Sequence, residues 1–166
     1  MTTDPVTTEA PVPTAPAVAT PRSRAGRRPT RYVLAFAAVL ALLLSACLSE
    51  EQQSGHDALN NDRRANGRAA LGVQNDAQAK AQAWAEKLAR ENRLYHSTLS
   101  DGIGVRWCNI GENVGYSGSV AGTEAGFMNS SVHRGNILNT VWNGVGVGVA
   151  HNGNRVFVVQ VFIKTC

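Results

Sequence analysis

Three short and widely separated stretches of the sequence carry side chains that can bind a metal ion or transfer protons near neutral pH. His96 lies in the first stretch, Glu112 in the second and His133 in the third. Imidazole and carboxylate groups are costly to bury without partners, so a fold that gathers them must pair them with one another or with a ligand. We therefore predict one cleft that is formed by His96, Glu112 and His133.

Three kinds of chemistry are open to this cleft. Two imidazoles and a carboxylate can form the three-ligand shell of an open zinc site, with His96, His133 and Glu112 as the ligands. The same groups can instead hydrogen-bond to one another, so that they fix loops or line a weakly binding cleft. Ser130 lies three residues before His133, which suits nucleophilic catalysis and equally suits helix capping. Because no Gly-x-Ser-x-Gly motif accompanies Ser130, we favour a binding or structural cleft, place the metal site second and name no catalytic residue.

Two asparagines near the trio have a structural interpretation. Asn113 follows Glu112, and Asn136 lies three residues after His133. Asparagine side chains readily hydrogen-bond to backbone groups, so we expect both to satisfy buried backbone atoms. Asn113 and Ser130 complete the predicted cleft by their positions beside the trio.

Four segments have the residue spacing of helices. The clearest carries an apolar stripe of Ala77, Ala81, Trp84 and Leu88, from which Lys80 and other charged residues are displaced. The mostly alanine face of this helix allows another element to approach closely. The predicted helical segments are 56–66, 76–92, 119–129 and a final turn over 131–138.

The C-terminal residues predict an antiparallel hairpin. Residues 144–149 alternate glycine and valine, a turn follows at 151–154, and residues 156–162 return as an apolar strand. The alternating glycines leave one face of the first strand without side chains, so we expect a helix to pack there. With a further strand near 107–114, the sequence predicts an α+β domain in which a small antiparallel sheet is covered by helices.

The first 46 residues have the composition of an export signal with a long leading segment. That leading segment is rich in Thr, Pro and Ala and carries five arginines, and an uncharged apolar run of 15 residues follows over 32–46. The run is shorter than the roughly 20 residues of a membrane-spanning helix, so we expect the segment to be removed after export. Arg27 and Arg28 are weakly similar to a twin-arginine signal.

The end of this segment resembles the bacterial lipobox, in which a cysteine follows a small residue and accepts a diacylglycerol. The matching residues are Leu44-Ser45-Ala46-Cys47. The resemblance implies a lipoprotein that begins at Cys47, with residues 47–55 as a polar tether and 56–166 as one domain. The alternative is an ordinary signal peptide with an incidental cysteine, which predicts a secreted protein.

Charge and cysteine content fit an exported protein. Five of the 16 basic residues and two of the 12 acidic residues precede Cys47, which leaves 11 and 10 in the mature chain. The mature chain has no basic stripe, which argues against a nucleic-acid partner. Once Cys47 is lipidated, Cys108 and Cys166 form an even pair that predicts a disulfide in an oxidising compartment. Two free buried thiols are the alternative.

Five motifs, in the order of the chain, resemble the bacterial branch of the CAP superfamily, which groups cysteine-rich secretory proteins, antigen 5 and pathogenesis-related proteins. The similarity covers residues 56–163 and implies an α-β-α sandwich with a shallow cleft. In family members two histidines and two glutamates line this cleft, which in some binds a divalent metal such as zinc. The motifs are Ala58-Leu59-Asn60-Asn61-Asp62-Arg63-Arg64, Leu94-Tyr95-His96-Ser97, Ile110-Gly111-Glu112-Asn113-Val114, Met128-Asn129-Ser130 with His133-Arg134-Gly135-Asn136-Ile137-Leu138, and Gly144-Val145-Gly146-Val147-Gly148-Val149.

By this resemblance His96 and His133 are the two histidines of the cleft and Glu112 is one of its glutamates. The second glutamate is the departure, because secreted eukaryotic relatives place it three residues after an aromatic residue. Here the aromatic residue is Phe127 and that position is Ser130. A four-ligand metal site is therefore not expected, and Glu124, one turn before Phe127, is not assigned to the cleft.

Together these features predict an extracytoplasmic protein that is anchored to the membrane surface by lipid on Cys47. We expect a noncatalytic binding module whose ligand is a lipid, a glycan or another envelope component, or a protein partner. The alternative is a metal-dependent hydrolase that acts on an envelope polymer through His96, Glu112 and His133.

Overall fold

The computed structural model describes residues 47–166. The predicted signal peptide and Leu44-Ser45-Ala46 of the lipobox-like motif lie outside the described residues. Among residues 47–166, no helix has the length and apolar character needed to cross a membrane. The elements of this part of the chain are α1 (Glu50–Ala65), β1 (Gly72–Val73), α2 (Asn75–Glu91), β2 (Trp107–Ser117), α3 (Val120–Asn129), α4 (Ser131–Leu138), β3 (Gly144–Asn152) and β4 (Arg155–Thr165).

The four strands form one sheet in the order β1-β3-β4-β2. Strand β4 pairs antiparallel with β3, as the hairpin pattern predicts, and it also pairs antiparallel with β2. Strand β1 is a two-residue addition that pairs parallel with β3, so the sheet is mixed rather than wholly antiparallel. So short a strand leaves no alternation in the sequence from which it can be predicted.

Helices cover both faces of this sheet. Alternate residues of β4 divide between two hydrophobic clusters, because successive side chains of a strand point to opposite faces. One cluster contains Leu59 of α1, Phe127 of α3 and Ile137 of α4, and the other contains the alanine stripe of α2. The predicted α-β-α sandwich is therefore confirmed.

The glycines of β3 explain how closely α2 packs. A Cβ atom built on Gly146 would overlap the backbone at Ala77, and one on Gly148 would overlap the backbone at Ala81. Ala77 and Ala81 are themselves fully buried. The expected helix on the glycine face is thus α2, and neither partner has room for a larger side chain.

Lys80 of α2 differs from the sequence expectation. It is buried, and its Nζ donates hydrogen bonds to the carbonyls of Thr98 and Asp101, each at 2.8 Å. The sequence pattern predicts that Lys80 faces solvent, because a lysine is rarely buried unless its charge is satisfied. Here two carbonyls of the loop that follows His96 satisfy it.

Helix α1 begins six residues earlier than predicted, at Glu50. Ser49 and Gln52 form a reciprocal capping box at its start. Gly55 is buried in this helix, and a Cβ there would lie 2.8 Å from a methyl of Val147. Residues 50–55 are therefore part of the helix rather than a polar tether, because the capping box begins the helix at Glu50 and Gly55 packs against Val147 of β3.

The predicted disulfide joins Cys108 and Cys166, whose Cα atoms are 5.6 Å apart. It fixes the C-terminus beside the start of β2, the strand that carries Glu112. Cys47 is exposed, and its lipidation stays a prediction.

Candidate functional site

His96 and Glu112 are in direct contact. The Oε1 atom of Glu112 accepts a hydrogen bond from His96 Nδ1 at 2.8 Å. Because an ionised carboxylate can only accept, Nδ1 carries the proton and Nε2 is the ring atom left to a ligand. The Glu112 side chain is 1% exposed, whereas that of His96 is 60% exposed. The imidazole, rather than the carboxylate, is therefore the group presented to solvent.

Ser97 provides the remaining partners of Glu112. Its backbone N–H donates to Oε1 at 3.0 Å and its Oγ donates to Oε2 at 2.6 Å. Ser97 is not among the residues predicted for the cleft, although it directly follows His96. Sequence spacing cannot show that a hydroxyl beside one site residue meets another site residue 15 positions away.

Strand β2 also contacts the backbone of His133, on the opposite face of the sheet. β2 is an edge strand, and Glu112 and Asn113, as consecutive residues, point to opposite faces of the sheet. On the face of α3 and α4, Asn113 Nδ2 donates to the backbone carbonyl of His133 at 3.1 Å. Glu112 and His96 lie on the face of α2. The site therefore straddles the free edge of β2.

His133 is partly buried and its ring packs edge-on against Phe127, with the ring centroids 5.1 Å apart. Burial lowers the pKa of His133, and repulsion from His96, when that ring is protonated, lowers it further. Among residues 47–166, no hydrogen bond joins the His133 ring to His96 or Glu112.

The three-ligand zinc shell, the second interpretation of the sequence, is not formed by these side chains. No group of three His, Cys, Asp or Glu residues within positions 47–166 is placed to hold a metal ion. The physical reason is that Glu112 is committed to Ser97 and His96, and that Ser130 offers no second carboxylate. The residues present offer two imidazoles, which falls short of the three protein ligands of a catalytic zinc site.

Ser130 lies where α3 ends and α4 begins. It is the N-cap residue of α4 by position, but its side chain makes no capping hydrogen bond. Over the described chain, no hydrogen bond connects its hydroxyl to His133. The serine and histidine that sequence spacing pairs therefore do not form a nucleophile and base in this arrangement.

A buried chain of hydrogen bonds leads away from the site into the domain. Asn136 donates to Asn113, Asn113 donates to Gln160 of β4, and Gln160 donates to Glu124 of α3. Each amide in this chain donates its hydrogen bond in the direction of Glu124. The carboxyl of Glu124 accepts the last of these bonds. Asn113 and Asn136 also bond to backbone carbonyls, at His133 and Glu112, as predicted. The only sign of this role of Gln160 in the sequence is that it is a polar residue within an apolar strand.

Glu124 does not contact the trio, although the chain of side chains connects it to the backbone of His133. It is 4% exposed. Burial, followed by the neighbouring Asp62 carboxyl, raises its pKa to about 8. Glu124 is therefore mostly protonated at neutral pH.

The model of the cysteine-rich secretory protein family, CAP, matches residues 56–162. An extracellular protein from Bacillus anthracis that contains an SCP domain superposes with a TM-score of 0.60 at 26% identity, covering 69% of this chain and 40% of that one. An outer surface protein from Borrelia burgdorferi gives 0.62 at 16% identity, with 71% of this chain and 95% of that one covered.

A cysteine-rich secretory protein from Staphylococcus aureus gives a TM-score of 0.58 at 21% identity, over 69% of this chain and 38% of that one. The chain thus spans about two fifths of the Bacillus and Staphylococcus proteins and nearly the whole Borrelia protein. The search of curated proteins returned no match.

Proposed function

The chain belongs to the cysteine-rich secretory protein (CAP) family, and on that premise we propose that it is an extracytoplasmic binding module held to the membrane surface by lipid on Cys47. Its ligand is a lipid, a cell-envelope component or a protein partner, bound at the edge of β2 beside His96 and His133. The extracellular and outer-surface descriptions of the Bacillus and Borrelia proteins support the location.

The observation that carries this proposal is the engagement of Glu112. A general base or a metal ligand needs an oxygen that can reach the reacting group. Glu112 is almost fully buried, and its two oxygens already accept three hydrogen bonds from His96 and Ser97. Its role here is to orient the exposed imidazole of His96, which suits recognition of a ligand better than cleavage of one.

A metal-dependent hydrolase remains the second candidate because of one feature of the same contact. A histidine that ligates a metal usually donates its other ring N–H to a carboxylate. His96 makes this bond to Glu112 through Nδ1 and leaves Nε2 available. A metal held by Nε2 of His96 and by His133 needs a third ligand from outside the predicted trio.

Binding assays with matched variants separate these readings. Soluble muropeptides and vesicles of bacterial lipids are titrated against the wild type and against His96→Ala and His133→Ala. His151→Ala is the control, since His151 is half-exposed in the hairpin and pairs with Glu51 instead. Loss of binding in the two cleft variants alone supports the proposal, whereas equal binding by all four proteins contradicts it.

Two further measurements test the second candidate and the anchor. Stoichiometric zinc in protein purified without chelator, lost in His96→Ala and His133→Ala, would favour the hydrolase. For the anchor, wild-type protein from a bacterial membrane is compared with Cys47→Ser by intact mass. We expect only the wild type to gain the mass of attached acyl chains. If both proteins carry the same modification, the lipid anchor on Cys47 is contradicted.

A further inference from the structure

Four exposed residues cluster at the end of the domain where the β3-β4 hairpin turns. Arg155 begins β4, its Nη1 donates to Asn92 Oδ1 at 3.0 Å, and its guanidinium lies 4.7 Å from the centre of the Tyr116 ring. Arg93 and Leu94 directly follow Asn92, at the end of α2. We call this cluster the hairpin-end patch; its members are Arg93, Leu94, Tyr116 and Arg155.

The hairpin-end patch combines apolar and positively charged groups. Leu94 and Tyr116 are 41% and 42% exposed, and they are two of the five large apolar or aromatic side chains that are exposed within residues 47–166. The Arg93 guanidinium lies 4.9 Å from the centre of the Tyr95 ring, and Lys87 Nζ lies 5.8 Å from the same point. Tyrosines, and cations on long apolar stems, are residue types that suit the boundary between a membrane and water.

The charge of this surface is positive and only partly compensated. Its four basic side chains outnumber the two acidic ones at the end of α2, Glu86 and Glu91. Glu86 is 4.0 Å from Arg90, and Glu91 accepts a hydrogen bond from a tyrosine hydroxyl. The cations that have no carboxylate within 4.0 Å among residues 47–166 are Lys87, Arg93 and Arg155.

The same end of the domain carries Cys47. Only Leu48 separates Cys47 from Ser49, the N-cap of α1. In the first turn of α1, Glu51 bonds to His151, near the end of β3, at 2.8 Å. Two residues span at most about 7 Å. A lipid on Cys47 would therefore hold the hairpin end of the domain directly at the membrane surface.

We propose that the hairpin-end patch docks on a membrane of anionic phospholipids, with Arg93 and Arg155 at the phosphate groups and with Leu94 and Tyr116 in the interface. This inference deepens the proposed function and rests on it for the tether at Cys47. A lipid anchor and a basic surface act together, because the anchor keeps the surface at the bilayer. Each cation near an anionic surface then raises the docked fraction about fivefold.

The acidic residues beside the anchor indicate which side of this end meets the membrane. Glu50 and Glu51 lie in the first turn of α1, on the other face of the sheet from α2. Glu51 is paired with His151, but an anionic surface still repels this turn. The domain should therefore lean toward the membrane on the side of α2, where the hairpin-end patch lies.

This orientation sets the height of the histidine cleft. Glu112 pairs with Val161 of β4, six residues beyond Arg155. Because a strand rises about 3.4 Å per residue, the cleft lies about 20 Å along β4 from the hairpin-end patch. The cleft is thus placed to meet a ligand in the space above the membrane rather than within the bilayer.

The test uses residues 47–166, which fold as a unit because they contain both hydrophobic clusters, the whole sheet and the disulfide. Cys47 is the free thiol of this part of the chain, so a maleimide-bearing phospholipid can couple it to vesicles in place of a natural lipid. Vesicles of phosphatidylcholine alone are compared with vesicles that also contain phosphatidylglycerol. Hydroxyl-radical footprinting with mass spectrometry measures the oxidation of Leu94 and Tyr116. Trp107, exposed at the opposite end of β2, is the internal reference.

We expect the oxidation of Leu94 and Tyr116, relative to Trp107, to fall at least about fivefold on the vesicles that contain phosphatidylglycerol. Vesicles of phosphatidylcholine alone should give no such protection. The protection should also disappear in about 1 M salt, where the Debye length is only about 3 Å.

Two double variants place the docking surface. Arg93→Gln with Arg155→Gln removes two charges of the hairpin-end patch and should abolish the protection of Leu94 and Tyr116. Arg64→Gln with Arg68→Gln removes two exposed arginines at the other end of α1 and should be protected as the wild type is. Near-ultraviolet circular dichroism shows whether each variant is folded. If the patch variant is not folded, the salt dependence of the wild type decides the outcome.

Three results would overturn the proposal: equal oxidation on the two kinds of vesicle, protection that survives high salt or the loss of Arg93 and Arg155, or equal protection of Trp107. Soluble polyphosphate that protects the patch where vesicles do not would also overturn it, and would assign the surface to a soluble polyanion. The intact-mass comparison with Cys47→Ser tests the natural anchor separately. A failed anchor and a failed docking surface therefore give different results.

Discussion

Gln78 of α2 pairs with Val147 of β3 in both directions through one side-chain amide. Its Nε2 donates to the Val147 carbonyl at 2.8 Å, and its Oε1 accepts from the Val147 N–H at 2.9 Å. One turn later Gln82 makes the same pair of bonds with Val149. Strand β1 pairs with only two residues of β3, so these amides continue the ladder where the short strand ends. The edge of β3 is thereby closed to another strand.

The first prediction follows from this pairing. Gln78→Ala removes both bonds and leaves the Val147 N–H and carbonyl without their partner, so we expect the free energy of unfolding to fall by about 1–3 kcal/mol. Urea denaturation measures it. Gln53→Ala is the matched control, because Gln53 is exposed and bonds only to the side chain of Asp57. Its effect should stay within about 0.5 kcal/mol, and equal losses in both variants would contradict the role of Gln78.

The second prediction concerns the contact between β3 and α2. The Cβ of Gly148→Ala would overlap the backbone of Ala81, which cannot move aside as a flexible side chain can. We expect a loss of about 3 kcal/mol or more in a thermal or urea unfolding experiment. Gly126→Ala is the control, since a Cβ there meets nothing within 4 Å and the residue lies inside α3. That variant should be slightly more stable than the wild type.

These two sites also show what sequence patterns can and cannot predict. The alternation of glycine with valine in β3 predicts a helix against its bare face, because a two-residue period has a direct geometric meaning. The roles of Gln78 and Lys80 are not predictable in this way. Polar residues beside an apolar stripe are expected to face solvent, and only the tertiary arrangement brings a strand edge or loop carbonyls within their reach.

The candidate site, too, could be predicted from the sequence only in part. The motifs predict His96, Glu112 and His133 as site residues. The structure places His96 and Glu112 in contact and places the backbone of His133 against Asn113, the neighbour of Glu112 on β2. The motifs do not show that Glu112 is held by Ser97 or that His133 approaches from the other face of the sheet. Those features depend on the side of the edge strand on which each loop passes. The spacing of residues along the chain does not determine that side.

The third prediction is a pH dependence of stability. The pKa of Glu124 is about 8 in the folded protein and 4.5 as its ordinary value. Between these values the unfolded chain releases the proton and the folded chain keeps it, so stability falls as the pH rises through this window. We expect a decrease of a few kcal/mol between pH 5 and pH 8, measured by urea denaturation.

His133 has the opposite effect on the pH dependence of stability. Because its pKa is lowered in the folded protein, its contribution to stability is lost as the pH falls. The comparison with Glu124→Gln separates the two groups. This variant keeps the His133 effect and should lack the decrease above pH 5. A wild type and variant with parallel pH profiles would show that Glu124 is ionised normally.

The fourth prediction concerns the loop that carries His96. Lys80→Met keeps the aliphatic chain of the lysine but removes its hydrogen bonds to the carbonyls of Thr98 and Asp101. Amide hydrogen exchange at Asp101 and Ile103, whose N–H groups bond within this loop, should accelerate about tenfold. Lys87→Met is the control, because Lys87 Nζ lies over the Trp84 ring instead. Exchange that is unchanged in Lys80→Met would mean that the loop is fixed by other contacts.

The last prediction tests whether Ser97 holds Glu112 in place for His96. In Ser97→Ala the buried Oε2 loses a 2.6 Å hydrogen bond, so we expect the free energy of unfolding to fall by about 1–3 kcal/mol. The bond from His96 Nδ1 to Oε1 remains, so nitrogen NMR should still find the proton on Nδ1. Glu112→Ala removes the acceptor and should shift the ring toward the tautomer that is protonated on Nε2. Ser100→Ala, an exposed change in the same loop, should alter neither stability nor tautomer, and a tautomer that is the same in Glu112→Ala as in the wild type would show that Glu112 does not orient His96.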